Sequence, residues 1–115
     1  MEHTIVDAAR IEAVSEKVRQ TAIETLGDKL DKVYLYDVNP GGTEDPDLSF
    51  LIVASITQEE ASRESCKITS RTAHLGLEYD VLHYCHVTGS EMFNKNKGFI
   101  ASYKSAVEEG ALLYG

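Results

Sequence analysis

Ile11, Val14, Val18, Ala22 and Leu26 recur at steps of three or four between Asp7 and Leu26. That is the spacing of one helical stripe, with Glu12, Glu16, Lys17 and Arg19 on the wet side. Gly27 and Asp28 stand where such a helix would stop, and Lys32-Val33-Tyr34-Leu35-Tyr36 then reads as a short strand rich in β-formers. Both prolines, Pro40 and Pro46, fall between Asp37 and Asp47 together with Gly41-Gly42, which makes this stretch the clearest loop in the chain. The apolar run Leu48-Ser49-Phe50-Leu51-Ile52-Val53-Ala54 predicts a second strand buried on both faces. Thr57 followed by Glu60 has the form of a capping box, and the helix it opens carries Ala61, Ser65, Ile68, Thr72 and Leu75 on one weakly apolar face.

The second half continues the alternation. Glu78-Tyr79-Asp80-Val81-Leu82-His83-Tyr84 predicts a third strand, and Thr88-Gly89-Ser90-Glu91 a cap for a short helix near Met92 and Phe93. After the polar break Lys95-Asn96-Lys97-Gly98, the residues Phe99, Ile100, Tyr103 and Val107 form the stripe of a last helix, closed by Gly110. The apolar tail Ala111-Leu112-Leu113-Tyr114-Gly115 is expected to dock as a short strand or extended segment. A tight loop joins the first two strands, so they pair antiparallel; the helix between the second and third returns the chain for a parallel pairing. The expected fold class is α/β (α+β), one domain over residues 1–115 with a mixed sheet of three to four strands flanked by helices.

Composition narrows the function. A chain of 115 residues, 43% apolar and 26% charged, supports one core and has ordinary globular make-up. No apolar run approaches the ~20 residues that span a bilayer, so no membrane partner is expected. The start, Met1-Glu2-His3-Thr4, lacks a basic-then-apolar export pattern, and a cytoplasmic location is the expectation. Nineteen acidic against 11 basic side chains give a formal charge of −8, which argues against a broad nucleic-acid surface and suits a basic partner. Cys66 and Cys85 are expected to be free, buried thiols.

His83, Cys85 and His86 invite a zinc reading, but strand alternation sets His86 on the face opposite His83 and Cys85. Cys66 and His74 sit on a separate helix, leaving no fourth ligand at a usual spacing. For the same reason Cys85 and His86 cannot exchange a proton as a nucleophile pair. Tyr34, Tyr36, Tyr79 and Tyr84 are expected in the sheet or at its rim, and Lys95 and Lys97 in a solvated loop.

Four segments in order then carry a family likeness: Val33-Tyr34-Leu35-Tyr36, Pro46-Asp47-Leu48-Ser49-Phe50-Leu51-Ile52-Val53, Tyr79-Asp80-Val81-Leu82 and Glu109-Gly110-Ala111-Leu112-Leu113-Tyr114. Over roughly residues 30–115 the chain resembles the small nucleotidyltransferases of the polymerase-β superfamily, of the minimal antitoxin-like kind. In that family a strand ends in Gly-Ser, the next opens with Asp-x-Asp, a later strand holds a third carboxylate, and the ending resembles Glu-Gly-Val-Val-Leu-Tyr. The resemblance implies a nucleoside triphosphate and Mg²⁺ as ligands, Asp47 and Asp80 as catalytic and metal-binding carboxylates, and an all-helical protein partner of toxin–antitoxin type.

The site is degenerate on this register. Asp37-Val38 replaces Gly-Ser at the phosphate-binding position. A unit negative charge about 4 Å from a phosphate charge costs roughly 1 kcal/mol in water and about 4 kcal/mol at an effective dielectric of about 20. Ser49 stands where the second carboxylate belongs, and two Mg²⁺ ions need clustered carboxylates. A second register takes Asp45-Pro46-Asp47 as the Asp-x-Asp, with Gly41 and Gly42 supplying backbone amides and Asp80 the third ligand. Three functions follow as expectations: a binding protein with a partly lost site, an active Mg²⁺-dependent nucleotidyltransferase, or a structural homo-oligomer joined through a sheet edge.

Overall fold

A computed structural model describes residues 2–39 and 46–115. Helix α1 (Glu2–Leu26) ends at Gly27, whose φ of +52° reverses the chain through a short 3₁₀ turn (Gly27–Lys29). Strands β1 (Leu30–Asn39) and β2 (Asp47–Ala54) follow, then α2 (Gln58–Thr72), α3 (His74–Tyr79), β3 (Leu82–Gly89), α4 (Ser90–Asn96), α5 (Ala101–Glu109) and β4 (Ala111–Tyr114). The sheet has the order β3-β2-β1-β4. β1 pairs antiparallel with β2 and with β4, and β2 pairs parallel with β3, so the expected mixed sheet is the one observed.

The two faces are treated differently. Against one pack α1, α2 and α3: Val14, Val18, Ala22, Ala61, Ile68 and Leu75 meet Val33, Leu35, Leu48, Phe50, Ile52 and Val87. The other face is covered over part of its area, where Phe93 of α4 and Tyr103 and Ala106 of α5 bury Tyr34, Leu51 and Val53. The aromatic rings of Tyr34, Phe93 and Tyr103 meet at centroid distances of 5.9 and 5.4 Å, a tilted contact favoured by the ring quadrupoles. β2 runs through both layers, which explains its near-continuous apolar sequence.

β3 is an edge strand, and α2 guards part of it. Val87 N–H donates to Ser65 Oγ at 2.8 Å, and the same hydroxyl lies 3.5 Å from the Val87 carbonyl. Gly89 N–H donates to Gln58 Oε1 at 2.5 Å. Two side chains of one helix thus stand in for the missing neighbouring strand at the C-terminal half of β3, which blunts that edge against pairing with other chains.

Thr57 caps α2 as expected, its hydroxyl accepting from Glu60 N–H at 3.1 Å while the Glu60 carboxylate accepts from Thr57 N–H at 3.1 Å. The bonds that the Glu60 carboxylate accepts from the Thr57 N–H and hydroxyl hold it below its ordinary range. Four expectations need correction. Lys95 and Asn96 are in the last turn of α4 and not in a loop. The third strand starts at Leu82 because Leu75 and Tyr79, one turn apart, pack with the α1 side of the core and keep residues 74–79 helical. Helix α5 starts at Ala101, so Phe99 lies outside it and is 84% exposed; the face turned inward is Tyr103 and Ala106, and Val107 stays exposed. Cys66 is exposed, since the inner face of α2 is held by Ala61, Ile68 and Thr72.

Candidate functional site

The part of the sheet that α4 and α5 leave open lies toward the start of β2 and β3. Strand alternation gives this face the odd residues of β2 and the even residues of β3. The register then sets Tyr36 beside Ser49 and Ser49 beside Tyr84, one row across three strands. In the next row Asp47 lies between Asn39 and Leu82. Leu82 and Tyr84 are 56% and 57% exposed, and His86 is exposed beside Leu51. Asp47 is half-buried and is the one carboxylate that β2 and β3 carry.

Asp37 and Val38 occupy a β-bulge at the end of β1, between the pairs Tyr36/Ser49 and Asn39/Asp47. Asp37 is left-handed, with a φ of 52°, a conformation that aspartate tolerates better than most residues. Burial first, and then the charge of Asp37, raises the Tyr36 hydroxyl above its ordinary pKa. Asp37 therefore adds negative charge beside the Tyr36 hydroxyl. Val38 is 42% exposed. Gly41, Gly42 and Asp45 lie outside the described residues.

Asp80 is not on a strand. It forms the C-cap of α3 in the left-handed region, with φ 51° and ψ 54°, and its side chain is exposed. Arg10 of α1 donates through Nη1 to the Tyr79 and Asp80 carbonyls at 3.2 and 3.0 Å, holding this turn against α1. Val81 then turns into the core, and Leu82 N–H opens the strand by donating to the Pro46 carbonyl at 2.9 Å. On β3 the positions facing Asp47 and Ser49 are Leu82 and Tyr84, neither of them a carboxylate. Among the described residues no group of three or more His, Cys, Asp or Glu side chains is gathered for a metal ion. These residues do not by themselves supply the carboxylate cluster that two Mg²⁺ ions need.

The alternation that separates His83 and Cys85 from His86 is present: His83 and Cys85 turn to the helices, His86 to the open face. Thr72 Oγ1 donates to the Ile68 carbonyl at 2.8 Å, so His83 Nε2, 3.0 Å away, is the donor to Thr72. Burial, and then His74, lowers the His83 pKa. Burial pushes the Cys85 thiol up to about 11. Both are half-buried on the helix-covered face, with Thr72 as their shared neighbour.

No protein-family model matches the chain, and comparisons with curated proteins and with solved structures give no match. The polymerase-β likeness therefore rests on the four sequence segments. What sequence reasoning missed is that Leu82 lies beside Asp47 and Tyr84 beside Ser49. One signal was available. β3 alternates Leu82, Tyr84 and His86 with His83, Cys85 and Val87, bulky residues on both parities. A strand whose outer parity holds Leu82 and Tyr84 and no carboxylate or lysine marks a second face with apolar surface to cover.

Proposed function

We propose that the chain is a nucleotidyltransferase-like binding domain, whose open sheet face around Asp47 engages a protein partner and transfers no nucleotidyl group. The observation that carries this reading is the pairing of Asp47 with exposed Leu82, and of Ser49 with exposed Tyr84, where a two-metal site would hold carboxylates. A face with a tyrosine and a leucine at its centre and a carboxylate at its margin has the make-up of a protein interface core. The charge of −8 favours a partner with basic groups at the rim. The family likeness points to an all-helical partner. Such a partner would lay an apolar helix face on Leu82 and Tyr84.

Two measurements test it. Incubation with labelled ATP, Mg²⁺ or Mn²⁺ and hydroxyl acceptors is expected to give no transfer; transfer that disappears in Asp47→Ala would overturn the binding reading. Photo-crosslinking from position 84 in cells is expected to trap one protein. Tyr84→Ala should weaken that complex by about tenfold or more, as a centrally placed tyrosine does, while leaving thermal stability unchanged. A nucleotide-induced thermal shift lost in both Tyr84→Ala and Asp47→Ala would put a nucleotide on the face in place of a protein.

A further inference from the structure

At the opposite end of the strands from Asp47, where β2 and β3 finish, the surface opens into a cavity of about 700 Å³. Small-molecule sites enclose roughly 300–1,000 Å³, and ligands of sheets with parallel strands bind outside the carboxyl ends of those strands. Ile56, Met92 and Ile100 give it apolar walls, and Gln58, Glu91 and Lys95 bring polar groups to it.

Its floor is a fixed chain of hydrogen bonds. Thr88 Oγ1 donates to Gln58 Oε1 at 3.2 Å, and Tyr103 Oη lies 2.8 Å from Thr88 Oγ1 in the buried interior. Thr88 has one hydroxyl proton, so Tyr103 is the donor of that pair. Gly89 N–H donates to the same Gln58 Oε1. An amide oxygen that accepts twice fixes which way the carboxamide is turned, and directs Nε2, with its two protons, away from the floor. Gly89 is held close: a Cβ there would collide with the Ile56 carbonyl oxygen and stand 3.0 Å from Gln58 Oε1. The donor on Gln58 is thus preorganised by three residues, Thr88 and Gly89 of β3 and Tyr103 of α5. No partner of Nε2 is present among the described residues.

We propose that this cavity binds a small amphiphile, an apolar body carrying one oxygen acceptor, carbonyl or carboxylate, that receives the Gln58 Nε2 protons. Ile56, Met92 and Ile100 take the body. Lys95 attracts a carboxylate head, and Glu91, one turn earlier on α4, opposes it. The site owes nothing to Asp47 or to the open face, so it stands or falls apart from the protein-binding reading.

The test uses the full chain, labelled with ¹⁵N and titrated with hexanoate and with hexanamide to roughly 10 mM, where affinities of millimolar order are read. Shifts confined to residues 56–58, 88–96 and 100 are the expected result. Gln58→Glu keeps the acceptor for Gly89 and Thr88 and removes both donors; it should weaken both probes about tenfold, the worth of one good hydrogen bond. Ile100→Ala, on a half-exposed wall away from the floor, should weaken both about threefold or more. Lys95→Met separates the heads: loss of hexanoate alone identifies a carboxylate ligand, and no loss identifies a neutral carbonyl. Absence of shifts in those segments overturns the proposal. So does unchanged affinity in Gln58→Glu or, should that variant lose its amide dispersion, unchanged affinity in Ile100→Ala.

Discussion

Ser65→Ala removes one oxygen atom and leaves the helix otherwise intact, yet it should be among the costlier substitutions at a partly exposed position. Ser65 Oγ is the acceptor for Val87 N–H at 2.8 Å, and Val87 is 1% exposed, so water cannot replace the lost partner. A buried donor left without an acceptor costs about 1–3 kcal/mol. For a domain of this size each kcal/mol moves Tm by about 4 °C, which gives a fall of roughly 4–12 °C. Thermal and urea unfolding measure the total. Hydrogen exchange at the Val87 amide locates it, because local opening of the edge should release that amide first. Ser65→Thr keeps the hydroxyl and should retain the protection. A Ser65→Ala protein within about 0.5 kcal/mol of wild type, with Val87 still protected, would refute the idea that α2 substitutes for a neighbouring strand.

Gly89→Ala should lower stability by about 1–3 kcal/mol, as overpacking against fixed backbone does, and an unchanged Tm would show that the Ile56 carbonyl can move aside. With a thiol reagent at neutral pH the native protein should modify first at exposed Cys66, because Cys85 is half-buried with its thiol pushed up to about 11; both should react after unfolding. Two equally fast thiols in the native state would contradict the shielding of Cys85 by the helix-covered face. His83 is depressed below its ordinary 6.5 by burial and then by His74, so the folded state resists a proton that the unfolded chain accepts. Its contribution to stability is complete above about pH 6.5 and is lost as pH falls toward the folded pKa. Urea midpoints between pH 7.5 and 5 should show that decline in wild type and a smaller one in His83→Gln.

Most of the fold was legible in the sequence for local reasons. The Thr57–Glu60 box closes within one turn, the apolar run of β2 is two-sided, and the strand-like tail did become β4. The boundary between α3 and β3 was not legible. Glu78-Tyr79-Asp80-Val81 suits a strand by alternation, and the contacts of Leu75 and Tyr79 with α1, made by residues far away in sequence, decide for helix. The same distance hid the candidate sites. Asp47 was singled out, but its neighbours Leu82 and Tyr84 depend on the parallel register of β2 and β3. Gln58 gave no signal at all, since its role comes from Thr88, Gly89 and Tyr103, each on another element. Phe99 and Val107 misled because a helical stripe was read across the break before Ala101.

Strand β1 lies between β2 and β4, and of the described elements β4 is the last to be synthesised. The β1/β2 hairpin can form early on the ribosome, but the opposite flank of β1 must wait for Ala111–Tyr114, and Arg19 must wait for the Leu113 carbonyl it binds at 3.0 Å. Nascent chains therefore pass through a stage in which a central strand is laterally open. Chains stalled or clipped before residue 111 would present that flank to one another, and among the described residues nothing comparable to the α2 guard on β3 stands ready there.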